Sequence, residues 1–144
     1  ISIQNKIKIN IIGSEDNIPK STLKVIKNIN KKEIKNYGLT LNIALNYGFK
    51  NELIHIFNQL IEYQKGKLKI DEYNQIKKFS YLKNIPDVDL LIRTGGFQRL
   101  SNFILLNLTY SELIFTKTLW PEITKKELLN IFQKYRSLKR NYGL

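Results

Sequence analysis

The amino-acid sequence predicts an α/β fold, a mostly parallel central sheet covered by helices. Three observations carry that expectation. Apolar, β-branched runs at 6–13, 39–46, 90–92 and 111–116 read as strands. Segments with apolar residues at helical spacing alternate with them, the pattern of crossover-linked parallel strands. The run 39–46 is apolar enough to be covered on both faces. At 144 residues the chain is expected to form a single domain, 1–144, large enough to bury a core.

Each element has its own signals. The first strand alternates Ile with Lys and Asn and stops at Gly13. Pro19 fits the first turn of a helix striped by Leu23, Ile26 and Ile29, with lysines between them facing water. After the second strand, Leu53, Phe57, Leu60 and Ile61 stripe the next helix. His55 falls on its other face with Glu52 and reads as a solvated histidine, since no ligand spacing accompanies it. A short helix is expected near 70–78. Asp87 and Asp89 are two apart, so their carboxylates share a side of an extended chain. Such a pair can hold a metal on a diphosphate, but a turn after Pro86 is the favoured reading. Ser101 is the expected N-cap of a buried helix over 103–110. Glu112 lies between apolar stretches and needs an arginine, a proton or a metal. Trp120 reads as a core anchor. Thr124 and Glu127 form a capping box, and Leu128, Ile131, Phe132, Tyr135 and Leu138 line the last helix.

Composition narrows the function classes. There is no cysteine, which excludes a disulfide framework and thiolate metal sites. No signal peptide or bilayer-length apolar run is visible, so a soluble, cytoplasmic protein is expected. Twenty-four basic against 12 acidic residues give a net charge of +12, which points to an anionic partner. The excess is dispersed lysine in a chain rich in Ile and Asn, whose shared AT-rich codons explain part of it. No aromatic-basic strip marks a nucleic-acid surface. The chain starts at Ile1 and contains no methionine, so a fragment of a longer protein is expected.

Most of the chemistry gathers at 90–102. An apolar strand ends in Arg93; Gly95 and Gly96 follow, then Arg99 and Ser101. A helix start would offer unpaired N–H groups and its positive dipole end, while arginines match phosphate oxygens with forked donors. Spacing alone leaves two readings open, an anion cradle or a simple turn flanked by surface charges. The glycine and lysine spacing of a Walker loop is absent.

The stretch Asp89-Leu-Leu-Ile-Arg-Thr-Gly-Gly-Phe-Gln-Arg-Leu-Ser-Asn-Phe103, then 110–116 and Leu119-Trp-Pro121, closely resembles the C-terminal signature of cis-prenyltransferases. Within that family it looks like the bacterial undecaprenyl diphosphate synthases. The run 39–48 matches the preceding block of that family, so the resemblance covers essentially the whole chain. It implies a cis-prenyltransferase-like fold with the N-terminal part missing. It further implies an enzyme that condenses isopentenyl diphosphate onto an allylic, usually farnesyl, diphosphate, making a long cis-polyprenyl (undecaprenyl) diphosphate. The resemblance implies Mg2+ as cofactor, a homodimer, and transient contact with a membrane surface for product release. Carried over, Arg93, Arg99, Ser101 and the backbone at Leu100 bind isopentenyl diphosphate. Glu112 belongs to the magnesium site and Asp89 supports the arginines.

Three departures from the family pattern accompany the match. The Asp-Gly-Asn-Gly-Arg-Trp segment, which holds the allylic diphosphate and the metal-binding aspartate, is absent, so no catalytic residue is assigned within these residues. Phe97 stands where relatives usually have Glu, and Gln98 where some have a magnesium-contacting His. Asn141 replaces an arginine that reaches the partner's phosphate site. These departures keep a non-catalytic supporting subunit as the alternative reading, with a basic nucleic-acid-binding domain as a third.

Overall fold

Alternating Ile and polar residues make Ile7–Ile12 the first strand, β1. It pairs in parallel with β2 (Leu39–Ala44), from Ile7 opposite Leu39 to Ile12 opposite Ala44. This computed structural model describes residues 5–65, 70 and 73–139. The chain divides into two compact units, Ile1–Asn84 and Ile85–Leu144. Among the described residues the strands form two parallel pairs, in keeping with an α/β fold.

In the first unit the crossover from β1 to β2 is α1 (Lys20–Asn30), introduced by Pro19. Asn30 ties the helix end to the strand. Its Oδ1 accepts the Ile11 N–H at 2.8 Å and its Nδ2 donates to the Ile11 carbonyl at 2.9 Å. The register places Ile7, Ile9, Ile11, Leu39, Leu41 and Ile43 on one face, with an Asn10–Asn42 amide bond of 2.8 Å on the other. The expectation that β2 is covered on both faces is not met, since Leu39 remains 56% exposed and Leu41, Ile43 and Leu45 are exposed too. An aliphatic composition reports what a strand can bury, not whether a layer lies over it.

Helix α2 (Phe49–Tyr63) is turned differently from its expected stripe. Glu52, Ile56 and Leu60 are buried, while Phe57 and Ile61 are exposed. The cause is Glu52, which is 1% exposed. Its carboxylate accepts from the Tyr47 hydroxyl, from Ser80 Oγ at 2.5 Å and from the Tyr81 N–H at 2.9 Å. Three donors offset the cost of burying a charge. His55 is half-buried and stacks on Tyr81, centroids 4.7 Å apart, so it packs rather than standing in solvent. The short helix α3 (Tyr73–Lys77) falls within the stretch expected to hold one.

The second unit pairs β3 (Leu90–Arg93) with β4 (Glu112–Phe115), Leu90 opposite Glu112 and Arg93 opposite Phe115. The buried helix expected over 103–110 is replaced by a single 3-10 turn, Leu105–Asn107. Ser101, Asn102 and Ile104 have φ of 48°, 63° and 38°, and left-handed residues cannot propagate a right-handed helix. The segment bonds to the entry of β3 instead. The Val88 N–H donates to the carbonyl of buried Asn107 at 2.9 Å, and Ser111 Oγ donates to the Val88 carbonyl at 2.5 Å. Asn107 Nδ2 also reaches Asp87 Oδ1 at 3.4 Å, which suits the turn reading of that aspartate. Half of the capping box expected at helix α4 (Lys125–Ser137) is present, with Thr124 Oγ1 accepting the Glu127 N–H at 3.2 Å. The Glu127 carboxylate accepts from Thr116 Oγ1 and not from the Thr124 N–H. Ile131 is the buried residue of α4, whereas Phe132 and Leu138 are exposed. Trp120 is not a core anchor, being 71% exposed at the start of the short 3-10 helix Trp120–Glu122. Asn141 lies outside the described residues.

Candidate functional site

The last residue of β3 sets the site. The Arg93 carbonyl accepts the Thr116 N–H at 2.9 Å, so the strand pair fixes where its side chain begins. Beyond it the chain turns through Gly95 (φ 86°) and Gly96 (φ 81°). An added Cβ would find space at both positions, its nearest neighbour being Leu119 Cδ2 at 3.7 Å from Gly95. The left-handed backbone, not crowding, is what calls for glycine.

The loop is held from β4. The Gly95 N–H donates to the Thr118 carbonyl and the Gly96 N–H to the Thr116 carbonyl, both at 2.9 Å. Thr116 Oγ1 in turn donates to Glu127 Oε1 at 2.6 Å, joining this segment to α4. The glycine amides are thereby spent inside the protein and do not serve an anion. With no helix at Ser101, the helix-dipole part of the cradle is also absent. What the loop offers an anion is side-chain charge.

That charge is gathered. Arg93 Nη1 donates to the Arg99 carbonyl and to Ser101 Oγ, the latter at 2.9 Å. These bonds curl residues 99–101 back over the strand end, with Leu100 half-buried between them. A guanidinium carries five donors, so Arg93 keeps others for a ligand. The Phe97 ring lies under Arg99, 4.3 Å from its Cζ, and 5.9 Å from Cζ of Arg93. Neither arginine has a carboxylate partner among the described residues. The arrangement suits a polyanion with several oxygens, which two guanidiniums and a hydroxyl can share.

Not every expected residue joins this cluster. Glu112 opens β4 opposite Leu90, three residues before the level of Arg93, a separation of roughly 10 Å. An odd spacing also sends its side chain to the other face of the pair. Asp89 precedes β3 and uses its carbonyl to accept the Glu112 N–H at 3.0 Å. Among the described residues no three acidic, His or Cys side chains gather where they could hold a metal. Sequence reasoning missed the part played by Thr116 and Thr118. Their role is played by main-chain carbonyls, which leave no trace in residue type.

Comparison with known proteins gives the family of the chain. Residues 2–143 match the family model described as "Putative undecaprenyl diphosphate synthase". The chain is 38% identical to the isoprenyl transferase of Oceanobacillus iheyensis, over 98% of this chain and 57% of that protein. It is 33% identical to the isoprenyl transferase of Bacillus thuringiensis subsp. konkukian, over 98% and 56%. The chain thus spans little more than half the length of these curated relatives. Among solved structures it is similar to a probable undecaprenyl diphosphate synthase from Campylobacter jejuni, with a TM-score of 0.84 and 30% identity over 98% of this chain and 65% of that one. It is also similar to lavandulyl diphosphate synthase from Lavandula x intermedia in complex with dimethylallyl diphosphate, with a TM-score of 0.85, 28% identity, and coverage of 98% and 62%.

Proposed function

Since the chain belongs to the undecaprenyl diphosphate synthase family of cis-prenyltransferases, we propose that the whole protein condenses isopentenyl diphosphate onto an allylic diphosphate, farnesyl diphosphate, to build a long cis-polyprenyl diphosphate of the undecaprenyl type. In this reading the present chain carries the isopentenyl diphosphate site. The observation that carries it is the convergence of Arg93, Arg99 and Ser101 on one loop. The guanidiniums hold the diphosphate, Ser101 Oγ orients Arg93, and the main chain at Leu100 closes the loop around the ligand. Fixed positive charge of this kind steadies phosphate oxygens without reorganising during the reaction.

Mg2+ is proposed as the cofactor, and it neutralises diphosphate charge when bound. Magnesium takes one or two carboxylates together with substrate phosphates and water. Glu112 fits as one such ligand, the others coming from outside the described residues. Its place at the opposite end of the strand pair separates it from the arginines of its own chain, which is compatible with the homodimer we propose. Asp89, at the start of β3, would support the arginines through the strand they depend on. The aliphatic face of β1 and β2 supplies a wall for a growing hydrocarbon chain. Lys20, Lys24, Lys27 and Lys31 line an open groove along one side of α1, which suits brief contact with an anionic membrane surface. A cytoplasmic location follows from these proposed partners. The described residues contain no helix long and apolar enough to cross a membrane.

The test is incubation of the whole protein with farnesyl diphosphate, labelled isopentenyl diphosphate and magnesium. Labelled polyprenyl product is the expected result. Binding of both substrates with no product would favour a non-catalytic supporting subunit, and salt-sensitive binding of random oligonucleotides with no diphosphate binding would favour a nucleic-acid role.

A further inference from the structure

We propose that Phe97 is the positioning residue of the arginine pair, an uncharged counterpart that holds both guanidiniums together without using up their charge. This rests on the reading of the loop as a diphosphate site. Two like charges on one short loop repel, so each guanidinium needs a contact that holds it over the loop. Arg93 is anchored by the Arg99 carbonyl and by Ser101 Oγ. The exposed Arg99 has a ring contact in place of such an anchor, with its Cζ 4.3 Å from the Phe97 centroid. The same ring reaches Arg93 at 5.9 Å, so one side chain touches both cations.

The choice of an aromatic ring has a chemical consequence. A carboxylate here, the residue relatives usually carry, pairs with a guanidinium and makes it share its donors between that partner and a ligand. A ring attracts the cation through its quadrupole and leaves the edge N–H groups open. The ring is also 54% exposed, so it contributes little to the core, and its contacts with the two cations are the evident reason for its place. The loop therefore meets a diphosphate with two guanidiniums on one ring and no carboxylate partner for either among the described residues.

The test is calorimetric titration of inorganic pyrophosphate, in the presence of a chelator, into the whole protein and its Phe97→Leu, Phe97→Tyr, Phe97→Trp and Phe97→Glu variants. Phe97→Leu is expected to raise Kd by roughly two- to fivefold, the strength of an exposed cation–π contact. Phe97→Tyr and Phe97→Trp should keep the wild-type value, and Phe97→Glu should weaken binding more than Phe97→Leu. All four should unfold at the wild-type temperature, which separates positioning from folding. The proposal is overturned if Leu binds as Phe does, or if Tyr and Trp lose as much as Leu. If the unaltered protein does not bind pyrophosphate, or if Arg93→Ala and Arg99→Ala leave Kd unchanged, the diphosphate reading itself fails and takes this assignment with it.

Discussion

Arg93 reaches across its own loop to Ser101, donating to the hydroxyl at 2.9 Å from eight residues earlier in the chain. The bond fixes one edge of the guanidinium and leaves other N–H groups for a ligand. Ser101→Ala should therefore loosen Arg93 without removing its charge. We expect a loss of about 1 kcal/mol in isopentenyl diphosphate binding, roughly fivefold in Kd by titration calorimetry, with allylic diphosphate binding unaffected.

Removing either cation should cost more. Arg93→Ala and Arg99→Ala are each expected to lower kcat/KM for isopentenyl diphosphate by at least roughly tenfold, from the loss of charge-assisted bonds to phosphate. Allylic diphosphate affinity should stay close to wild type. An equal loss for both substrates would remove these arginines from the isopentenyl diphosphate site.

Gly95 and Gly96 test the loop's shape separately from its charge. Alanine at either position makes only ordinary van der Waals contact but must adopt a left-handed φ, which costs about 1–2 kcal/mol. Urea unfolding should show that loss, and asparagine should be better tolerated than alanine. A neutral effect of Gly95→Ala would mean the loop relaxes to another conformation.

Glu52 is a stability prediction remote from the chemistry. Glu52→Ala strands the Ser80 hydroxyl and the Tyr81 N–H in a buried place and opens a cavity, and should destabilise by about 3 kcal/mol. Chemical denaturation monitored by circular dichroism would show the shift. A loss below about 1 kcal/mol would indicate that water replaces the carboxylate.

Tyr81 gives a pH dependence. Burial, with lesser contributions from the charges of Asp16 and Glu52, raises its phenol above the ordinary value of 10.0, against a lowering by its bond with Ser14. The folded state then holds the proton more tightly than the unfolded one. Its contribution is complete below the unfolded pKa and is lost as pH rises from there through the folded value. Stability of the wild type should fall more steeply above pH 10 than that of Tyr81→Phe, measured by urea midpoints across that range.

How much of this was legible in the chain depends on which interactions residue type can report. The four strands, the parallel pairing and the cap at Thr124 follow from periodicity and from side chains with one dominant local use. The arginine cluster was legible because Arg93, Arg99 and Ser101 lie close in sequence around a glycine pair. The helix expected after Ser101 was not, because an apolar run such as 103–106 has no period to separate a helix from a packed turn. Three residues there are left-handed, and the bonds that hold the segment run from Asn107 and Ser111 to Val88, which residue type does not announce. Glu52 misled for the opposite reason. Its burial depends on donors from Tyr47, Ser80 and Tyr81, two of them far along the chain, which helical spacing cannot foresee.

The tethering of Gly95 and Gly96 to the carbonyls of Thr118 and Thr116 means that the loop borrows its curvature from a stretch that need never meet the substrate. Exchanging the side chain of Lys117 should pass almost unnoticed there. Deleting or inserting a single residue between Thr116 and Thr118 would change the spacing of the two anchor points and misalign the cations. Length at that junction, more than residue identity, is what evolution would have to guard.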